Sequence, residues 1–266
     1  MTNELQSLLP FTHVISPPQL AGNAAGQVTY AFQTDSIFEW RAISLSTDVD
    51  TAASFSPNNC SVQLQMLSSN RWLSNARVPQ RILAAPSNRL FLFPYPITIK
   101  AGDSILCDFL NLTGGNLNPT LCFHGFKRFS FDRPDNRDII PYWNVITPAQ
   151  IAGNLSSTTN YIFDADAWFE AHALWGYTDS DLDTDIMPNN MAVRFTDGGS
   201  GKLMSPATAN RVPQRCLLNP SAGRYYWGYP ILVPPNTQLV ADVLNLTAGN
   251  IKPVLCWSGF KRFDLA

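Results

Sequence analysis

Charged side chains are scarce in this chain, and their scarcity argues against several classes of function. Asp, Glu, Lys and Arg make up 14% of the 266 residues, against roughly 25% in typical soluble domains. The net charge is −2 and no run of basic residues occurs, so the electrostatic footprint of a nucleic-acid-binding protein is missing. No apolar run reaches the roughly 20 residues that a membrane-spanning helix needs. We therefore expect no direct nucleic-acid partner and no membrane span.

Cysteine is present in a pattern that excludes the usual covalent frameworks. An odd number of cysteines without CxxC spacing argues against both a disulfide scaffold and a zinc site. In apolar runs cysteine behaves as a small buried apolar residue, and we expect the chain to assemble in a reducing cytoplasm. The five positions are Cys60, Cys107, Cys122, Cys216 and Cys256.

Catalytic signatures are also missing. The sequence has no GxSxG, HExxH, P-loop or GxGxxG motif in a suitable context. We therefore predict no catalytic residues, no enzymatic activity and no cofactor, apart from a possible calcium ion considered below.

What the sequence does have is a long internal repeat. Residues 77–129 align without a gap with residues 211–263, and about half of the aligned positions are identical, including RVPQR, YPI, NLT and GFKRF. Upstream, ISPPQLAGN from Ile15 matches ITPAQIAGN from Ile146, and DSIFE from Asp35 matches DAWFE from Asp166 in part. A unit of this length is an ordinary domain rather than a solenoid repeat. We predict two homologous domains at residues 10–131 and 141–266, a linker at 132–140 and an N-terminal helical arm at 1–9.

Comparison of the two copies also shows which titratable residues they share. His13, His124 and His172 align with Asn144, Ser258 and Arg41, so no histidine belongs to the shared pattern. Asp108 and Asp242 are the best duplicated carboxylates, and we expect each to accept a hydrogen bond from a turn rather than to act as a general acid. In GFKRF we expect inward-pointing aromatics, with Lys127 and Arg128 at the rim.

The pattern within each copy indicates β-strands. SVQLQML from Ser61 and MAVRF from Met191 alternate polar and apolar residues, as a strand with one buried face does. ITIKAGDSILCDF has a Gly-Asp turn where the second copy has PPN, and both are turn sequences. Short strands separated by turns indicate a sandwich or barrel. We predict an all-β chain of two tandem β-sandwich, jelly-roll-like domains.

An acidic loop gives the one candidate ion site. Asp179, Asp181, Asp183 and Asp185 occupy alternate positions, and closely spaced carboxylates can supply oxygen ligands to calcium. The loop lacks the glycine and glutamate of an EF-hand, and the first copy keeps only two of the four aspartates. A solvated acidic loop is the alternative interpretation.

Aromatic residues give the candidate contact surface. Tyr and Trp are enriched at protein interfaces, which favours packing between domains or subunits; exposed Tyr and Trp could instead stack on sugar rings, so a bound glycan is the alternative. The residues concerned lie in FLFPYP and YYWGYP, and they are Phe91, Phe93, Tyr95, Tyr225, Tyr226, Trp227 and Tyr229.

The whole pattern resembles a known class of proteins. The elements at residues 21–23, 35–39, 95–97 and 105–128, with their second copies, are similar to tandem β-sandwich virion proteins of tailed bacteriophages. This resemblance implies a structural component of the virion: a capsid protein, a head-decoration protein, or a neck or tail accessory protein. It also implies partners among copies of the chain and other virion proteins.

Two further hypotheses remain open. One is a double jelly-roll major capsid protein of a membrane-containing icosahedral phage. The other is a tandem carbohydrate-binding module that recognises a receptor, which requires Tyr225, Tyr226 or Trp227 to be exposed in a groove.

Overall fold

The chain forms two compact units, Met1–Pro141 and Tyr142–Ala266, in a computed structural model. The structure describes residues 8–50, 57–83, 90–129, 139–182, 188–199, 211–214 and 225–265. Each unit is described by itself below.

The first unit contains two antiparallel sheets. The first sheet has the strand order β1-β9-β3-β7. The second has the order β2-β8-β4-β5, with β6 also paired to β4. The strands are β1 (Leu8–Ile15), β2 (Ala25–Ala31), β3 (Ile37–Thr47), β4 (Cys60–Met66), β5 (Arg71–Trp72), β6 (Val78–Pro79), β7 (Phe91–Ile99), β8 (Ser104–Asn111) and β9 (Pro119–Arg128).

The second unit repeats this arrangement. Its sheets have the strand orders β10-β17-β12-β15 and β11-β16-β13-β14. The strands are β10 (Ile139–Ile146), β11 (Ser156–Ile162), β12 (Trp168–Thr178), β13 (Met191–Asp197), β14 (Val212–Pro213), β15 (Tyr225–Val233), β16 (Gln238–Asn245) and β17 (Pro253–Arg262).

This strand order is that of a jelly roll. In each unit the chain passes between the two sheets at almost every connection, and the last strand returns to lie beside the first in the first sheet. Such a double Greek key closes two antiparallel sheets around one core. The prediction of an all-β chain with two jelly-roll domains is therefore confirmed, and the strand order, which the sequence did not reveal, is now defined.

The core of each unit lies between its two sheets. In the second unit one buried cluster joins Phe169, Leu174 and Trp257 of the first sheet to Val193 and Val243 of the second. Alternation along the strands produces this core, because every second side chain points inward. In β16, for example, Leu239, Ala241 and Val243 are fully buried, whereas the residues between them form the other face.

The predicted turn is present in both units, between β7 and β8 in the first and between β15 and β16 in the second. Gly102 adopts a φ of 77° there, and Asn236 adopts a φ of 59° at the equivalent position. Glycine and asparagine are the residues that tolerate this left-handed conformation. Two different turn sequences thus meet the same backbone requirement.

The helical segments that the structure describes are short, and the N-terminal prediction needs a correction. Leu8 and Leu9 belong to strand β1 instead of a helical arm, because their backbones pair with Arg128 and Lys127 of β9. Residues 1–7 and residues 132–138 of the predicted linker lie outside the described residues, and the last two residues of that linker belong to β10. A short helix, α1 (Gln80–Leu83), and a 3-10 turn at Phe263–Leu265 occur elsewhere. No helix within the described ranges is long and apolar enough to cross a membrane.

Candidate functional site

The two described aspartates of the acidic loop accept hydrogen bonds from the protein itself. Asp181 is 6% exposed. Its Oδ1 accepts from Thr178 Oγ1 (2.7 Å) and Asn190 Nδ2 (2.8 Å), and its Oδ2 accepts from Thr178 N (3.0 Å) and Gln214 Nε2 (2.7 Å). Asp179 Oδ1 accepts from the backbone N of Lys252 at 2.7 Å. Both carboxylates therefore hold this loop to neighbouring segments of the same unit.

The first unit contains the same arrangement. Asp50 accepts hydrogen bonds from Thr47 N (2.8 Å), Thr47 Oγ1 (2.7 Å), Asn59 Nδ2 (2.9 Å) and Gln80 Nε2 (2.6 Å). Asp48 Oδ1 accepts from Asn118 N at 2.9 Å, as Asp179 accepts from Lys252 N. Since both oxygens of Asp50 and Asp181 already have two donors each, these carboxylates act as acceptor centres of the fold.

A calcium site at this loop stays a prediction. Asp183 and Asp185 lie outside the described residues. Among the residues that the structure does describe, no group of three or more His, Cys, Asp or Glu side chains could hold a metal ion. Any calcium bound by Asp181 would have to displace the amide and hydroxyl donors that surround its carboxylate.

The duplicated carboxylates Asp108 and Asp242 pair with arginines. Asp108 accepts from Arg77 at 2.8 Å, and Asp242 accepts from Arg211 and Arg194, each at 2.9 Å. The predicted hydrogen bond from a turn was wrong, because the partners are guanidinium groups that lie across the second sheet. The repeated RVPQR motif thus supplies two contacts in each unit: its arginine reaches this aspartate, and its glutamine reaches Asp50 or Asp181.

The GFKR motif is explained by a second set of ion pairs. Lys127 and Lys261 are 6% and 7% exposed, so the prediction that Lys127 lies at the rim was wrong. Lys127 Nζ lies 3.4 Å from Asp35 and 4.5 Å from the ring centroid of Phe11. Lys261 Nζ lies 2.9 Å from Asp166. A buried ammonium group needs such partners, because burial without them is costly.

The arginine after each lysine pairs with the glutamate that ends DSIFE in the first unit and DAWFE in the second. Arg128 lies 2.7 Å from Glu39, and Arg262 is paired with Glu170. Glu39 also contacts Arg41 at 3.2 Å, and Glu170 contacts His172 at 2.6 Å. His172 therefore occupies the place of Arg41 as the second basic partner of this glutamate.

The other two histidines also have structural counterparts. His13 Nδ1 lies 2.8 Å from Tyr30 Oη, and Asn144 accepts a hydrogen bond from Tyr161 Oη at 2.6 Å in the second unit. Burial and the nearby charge of Lys127 lower the pKa of His13 to about 4. His124 lies between Thr12 Oγ1 (3.1 Å) and Ser44 Oγ (2.9 Å). The aligned Ser258 accepts a hydrogen bond from Trp175 Nε1 at 3.3 Å, and Trp175 is aligned with Ser44. Comparing residue identities alone missed these shared contacts.

The repeated AGN and NLT motifs hold one end of each sandwich together. Asn111 Nδ2 donates to the carbonyl oxygens of Ala21 (2.9 Å) and Gly115 (2.7 Å), and Asn111 Oδ1 accepts from Thr113 N (2.8 Å). Asn245 makes the equivalent contacts. A Cβ on Gly22 would lie 2.2 Å from the carbonyl oxygen of Gly114, so only glycine permits this close approach.

The cysteines are described at four of their five positions, and all four are free thiols. Burial raises the pKa of the Cys60 thiol to about 12 and raises those of Cys107 and Cys256 as well. These groups therefore stay protonated and unreactive at neutral pH. Cys216 lies outside the described residues.

The aromatic residues of β7 have different surroundings along the strand. Phe91 is 4% exposed and its ring centroid lies 5.5 Å from that of Phe93, which in turn lies 4.7 Å from Trp40. Tyr95, in contrast, is 50% exposed. Phe91 and Phe93 thus pack within the first unit, and Tyr95 is accessible to a partner.

The second-copy aromatics are located by backbone only. Tyr225, Tyr226, Trp227 and Tyr229 lie in β15, where Tyr226 pairs with Ala173 and Tyr225 pairs with Leu174. Their side chains lie outside what the structure describes. Their roles in an interface or in a glycan site stay predictions.

Comparison with known proteins found solved structures with some likeness of fold and low sequence identity. No protein-family model matches the chain, and no curated protein matches it. The solved structure titled "Crystal Structure of the STIV MCP" has a TM-score of 0.47 at 8% identity, covering 96% of this chain and 98% of that one. PBCV-1 VP54, fitted into a reconstruction of the virophage Sputnik, has a TM-score of 0.45 at 6% identity, covering 95% and 94%.

An enzyme shows a weaker likeness. Peptide-N(4)-(N-acetyl-β-D-glucosaminyl)asparagine amidase has a TM-score of 0.34 at 10% identity, covering 94% of this chain and 96% of that one. Likenesses of this degree say nothing about activity or substrate.

Proposed function

We propose that this chain is a structural protein of a virus particle, without catalytic activity, that acts by assembling with copies of itself and with other particle proteins. The particle is that of a bacteriophage, in which the chain serves as a capsid, head-decoration, or neck or tail accessory component. It is made in the reducing cytoplasm of the bacterium and is located in the virion.

The observation that carries this proposal is the internal use of the repeated polar residues. The duplicated RVPQR, NLT, DSIFE and GFKRF motifs supply partners for contacts within their own jelly roll, as Arg77 does with Asp108 and Lys127 with Asp35. The repeat therefore specifies a scaffold twice. A jelly roll built in this way presents sheet faces and edges to other molecules, and the fold is common in viral capsid proteins as well as in lectins and cupins.

Duplication and low charge support the same proposal. Two like domains in one chain present two like surfaces, which suits a symmetric assembly. Surfaces with few charges lose little solvation when subunits bury them. The first unit leaves Val14, Leu92 and Tyr95 about half exposed, at 55%, 50% and 50%.

The absolute mass of the purified chain in solution tests the proposal. Size-exclusion chromatography with light scattering, with and without calcium, is expected to show a discrete oligomer or a shell-sized species. Negative-stain microscopy then shows whether the species is closed. A strict monomer that also fails to bind any other protein of the particle would contradict the proposal.

A tandem carbohydrate-binding module is the second candidate, and the half-exposed Tyr95 favours it. A tyrosine ring with this exposure could stack on a sugar ring. Tyr95→Ala is then expected to abolish glycan binding in a glycan screen without unfolding the chain. The screen contradicts this candidate if the wild type binds no glycan.

A double jelly-roll major capsid protein is a more specific form of the first proposal. The tandem of two jelly rolls meets its architectural requirement, but a decoration or accessory protein can have the same architecture. A closed shell formed by this chain alone would favour the major capsid role.

A further inference from the structure

Two edge strands, β2 and β11, differ from the other sheet edges in the described parts of the chain. Each pairs with one neighbour, β8 or β16, and neither contains proline or a charged residue. The remaining edge strands contain proline, as β1, β7, β10 and β15 do, or are only two residues long. Proline, charge and short length are among the devices that keep sheet edges from pairing with other chains. The edges of β2 and β11 lack all three.

The open side of β2 is defined by the hydrogen bonds at its two ends. Asn111 N donates to Ala24 O at 2.9 Å, and Phe32 N donates to Asp103 O at 2.8 Å. Hydrogen-bonded pairs alternate along an antiparallel ladder, so the even-numbered residues face β8. The odd-numbered residues direct their N–H and C=O groups away from β8, and all of them are exposed; they are Ala25, Gln27, Thr29 and Ala31.

The open side of β11 follows from the same two bonds in the second unit. Asn245 N donates to Leu155 O at 2.9 Å, and Phe163 N donates to Thr237 O at 3.0 Å. Here the odd-numbered residues face β16 and the even-numbered residues face outward. The outward residues are again exposed, and they are Ser156, Thr158, Asn160 and Ile162.

We propose that β2 and β11 are pairing edges, at which each jelly-roll unit joins its sheet to the sheet of a second copy of this chain. The inference names the contact through which the proposed assembly forms and therefore rests on the proposed function. An edge lined by neutral, exposed, unpaired backbone groups is suited to strand addition. The presence of the same edge in both units matches an assembly that uses both units.

Self-pairing is favoured because each strand is complementary to itself. An antiparallel pair related by a two-fold axis at Val28 places Gln27 opposite Thr29 of the second copy, with their outward backbone groups in contact. The equivalent axis at Thr159 places Thr158 opposite Asn160 of the second copy. No like charges meet in either register, because neither strand carries a charge.

Residue-resolved hydrogen exchange tests the proposed contact on the intact chain. In dilute monomer the amides of Gln27 and Thr29 are expected to exchange freely, whereas those of Val28 and Tyr30 are protected by β8. In the assembled species the amides of Gln27 and Thr29 gain protection, and the alternation disappears. Free exchange of these two amides in the assembled species would overturn the inference.

Proline substitution tests the same contact by mass. Thr29→Pro and Asn160→Pro each remove an N–H group that faces the open edge, so the bonds to β8 and β16 stay intact; edge strands tolerate proline there. The double variant is expected to be folded and monomeric, and each single variant to lose one of two contacts. Thr29→Val is the matched control, because it keeps the N–H group and the assembly. Thr29→Lys is a second disrupting variant with an unchanged backbone.

The outcomes separate this inference from the proposed function. If the folded double variant keeps the mass of the wild type, the edges are not the contact, while the structural role stands. If the wild type is monomeric at every concentration, self-pairing fails, and the structural role then depends on binding to another protein of the particle.

Discussion

The two units share the strand order of their first sheet, but the outer face of that sheet differs between them. In the first unit Thr12 and Ser44 both contact the ring of His124 on this face. The aligned positions of the second unit are Trp143, Ser258 and Trp175. Val14 is 55% exposed on the first face, whereas the aligned Val145 is 6% exposed.

This difference shows which parts of a jelly roll are free to vary. The inner face must fill the sandwich, so Ile43 and Leu174 are both buried at aligned positions. The outer face has no such constraint and has become aromatic in one unit. Trp143 and Trp175 are buried, at 2% and 3% exposure, whereas the half-exposed Val14 leaves part of this face of the first unit accessible to another molecule.

The polar contacts inside the units, in contrast, are repeated closely. Asp50 and Asp181 each accept from four donor groups, and these groups belong to the same three aligned positions in both units. Ion pairs and amide contacts that hold loops to strands depend on geometry, and one changed partner leaves the other unsatisfied. Such networks therefore resist change more than an outer face does.

Trp175 and Ser44 give the largest expected contrast. Trp175→Ala is expected to lower the free energy of unfolding of the second unit by about 3–5 kcal/mol, because a buried tryptophan leaves a cavity when truncated. Ser44→Ala at the aligned position is expected to cost less than about 1 kcal/mol. Denaturant-induced unfolding followed by hydrogen exchange in each unit measures both. Equal losses would contradict the view that only the second face is packed.

Substitution of Asp50 and of Asp181 is expected to destabilise the two units equally. Asp50→Asn and Asp181→Asn should each destabilise their own unit by about 2–3 kcal/mol, because the new amide group faces donors and leaves them unsatisfied. The same unfolding measurement checks this. Asp48→Asn is the control, and its effect should be smaller because Asp48 is exposed. A loss in one unit without the other would break the equivalence.

His13 of the first unit is aligned with Asn144 of the second, so the stability of the two units should depend differently on pH. The pKa of His13 is lowered to about 4 in the folded unit from about 6.5 in an unfolded chain. The unfolded state therefore binds more protons between these values, so the stability present above pH 6.5 falls as the pH falls toward 4. The slope should approach about 1.4 kcal/mol per pH unit.

His13→Asn, which copies the second unit, should remove this slope from the first unit. The groups facing His13 are Tyr30, 2.8 Å away, and Lys127, whose charge adds to the effect of burial. Unfolding measured from pH 7 to 4 in both proteins tests the prediction. An unchanged slope in the variant would assign the acid sensitivity to other groups.

The sequence predicted the parts of this fold that repeat. The alignment of GFKRF with its second copy and the alternation in SVQLQML were sufficient for two β-sandwich domains. Periodicity identifies which face of a strand is buried, but it cannot identify which strands are neighbours, so the strand order required the structure. The amphipathic LQSLL favours a helical arm, but Leu8 and Leu9 pair with β9, and this pairing overrides the local preference.

The contacts within the repeat were less predictable than the repeat itself. Asp108 and Arg77 recur together in both copies, and two repeated residues of opposite charge were a usable signal for an ion pair. The exchange of Arg41 for His172 was harder to detect, because residue identity changes while the partner glutamate stays. The burial of Trp143 could not be predicted, because an aromatic residue in a strand can lie on a buried face or on an exposed one.

Arg77 and Arg211 give the smallest expected contrast, and it arises from a single substitution between the units. Both arginines are about one-third exposed and pair with a buried carboxylate, Asp108 or Asp242. Asp242 has a second arginine, Arg194, at 2.9 Å. Arg77→Ala should cost about 1 kcal/mol, because partly exposed pairs are screened by solvent. Arg211→Ala should cost less, because Arg194 continues to pair with the carboxylate.

A double variant makes this last comparison decisive. Arg194→Gln gives the second unit the residue of the first unit, since Gln63 is aligned with Arg194. In that background Arg211→Ala should become as costly as Arg77→Ala, because Asp242 then has one arginine to lose. A double-mutant cycle on Arg194 and Arg211, measured by denaturant-induced unfolding, gives the coupling directly. Additive losses would mean that each arginine acts on Asp242 independently, and the difference between the units would need another cause.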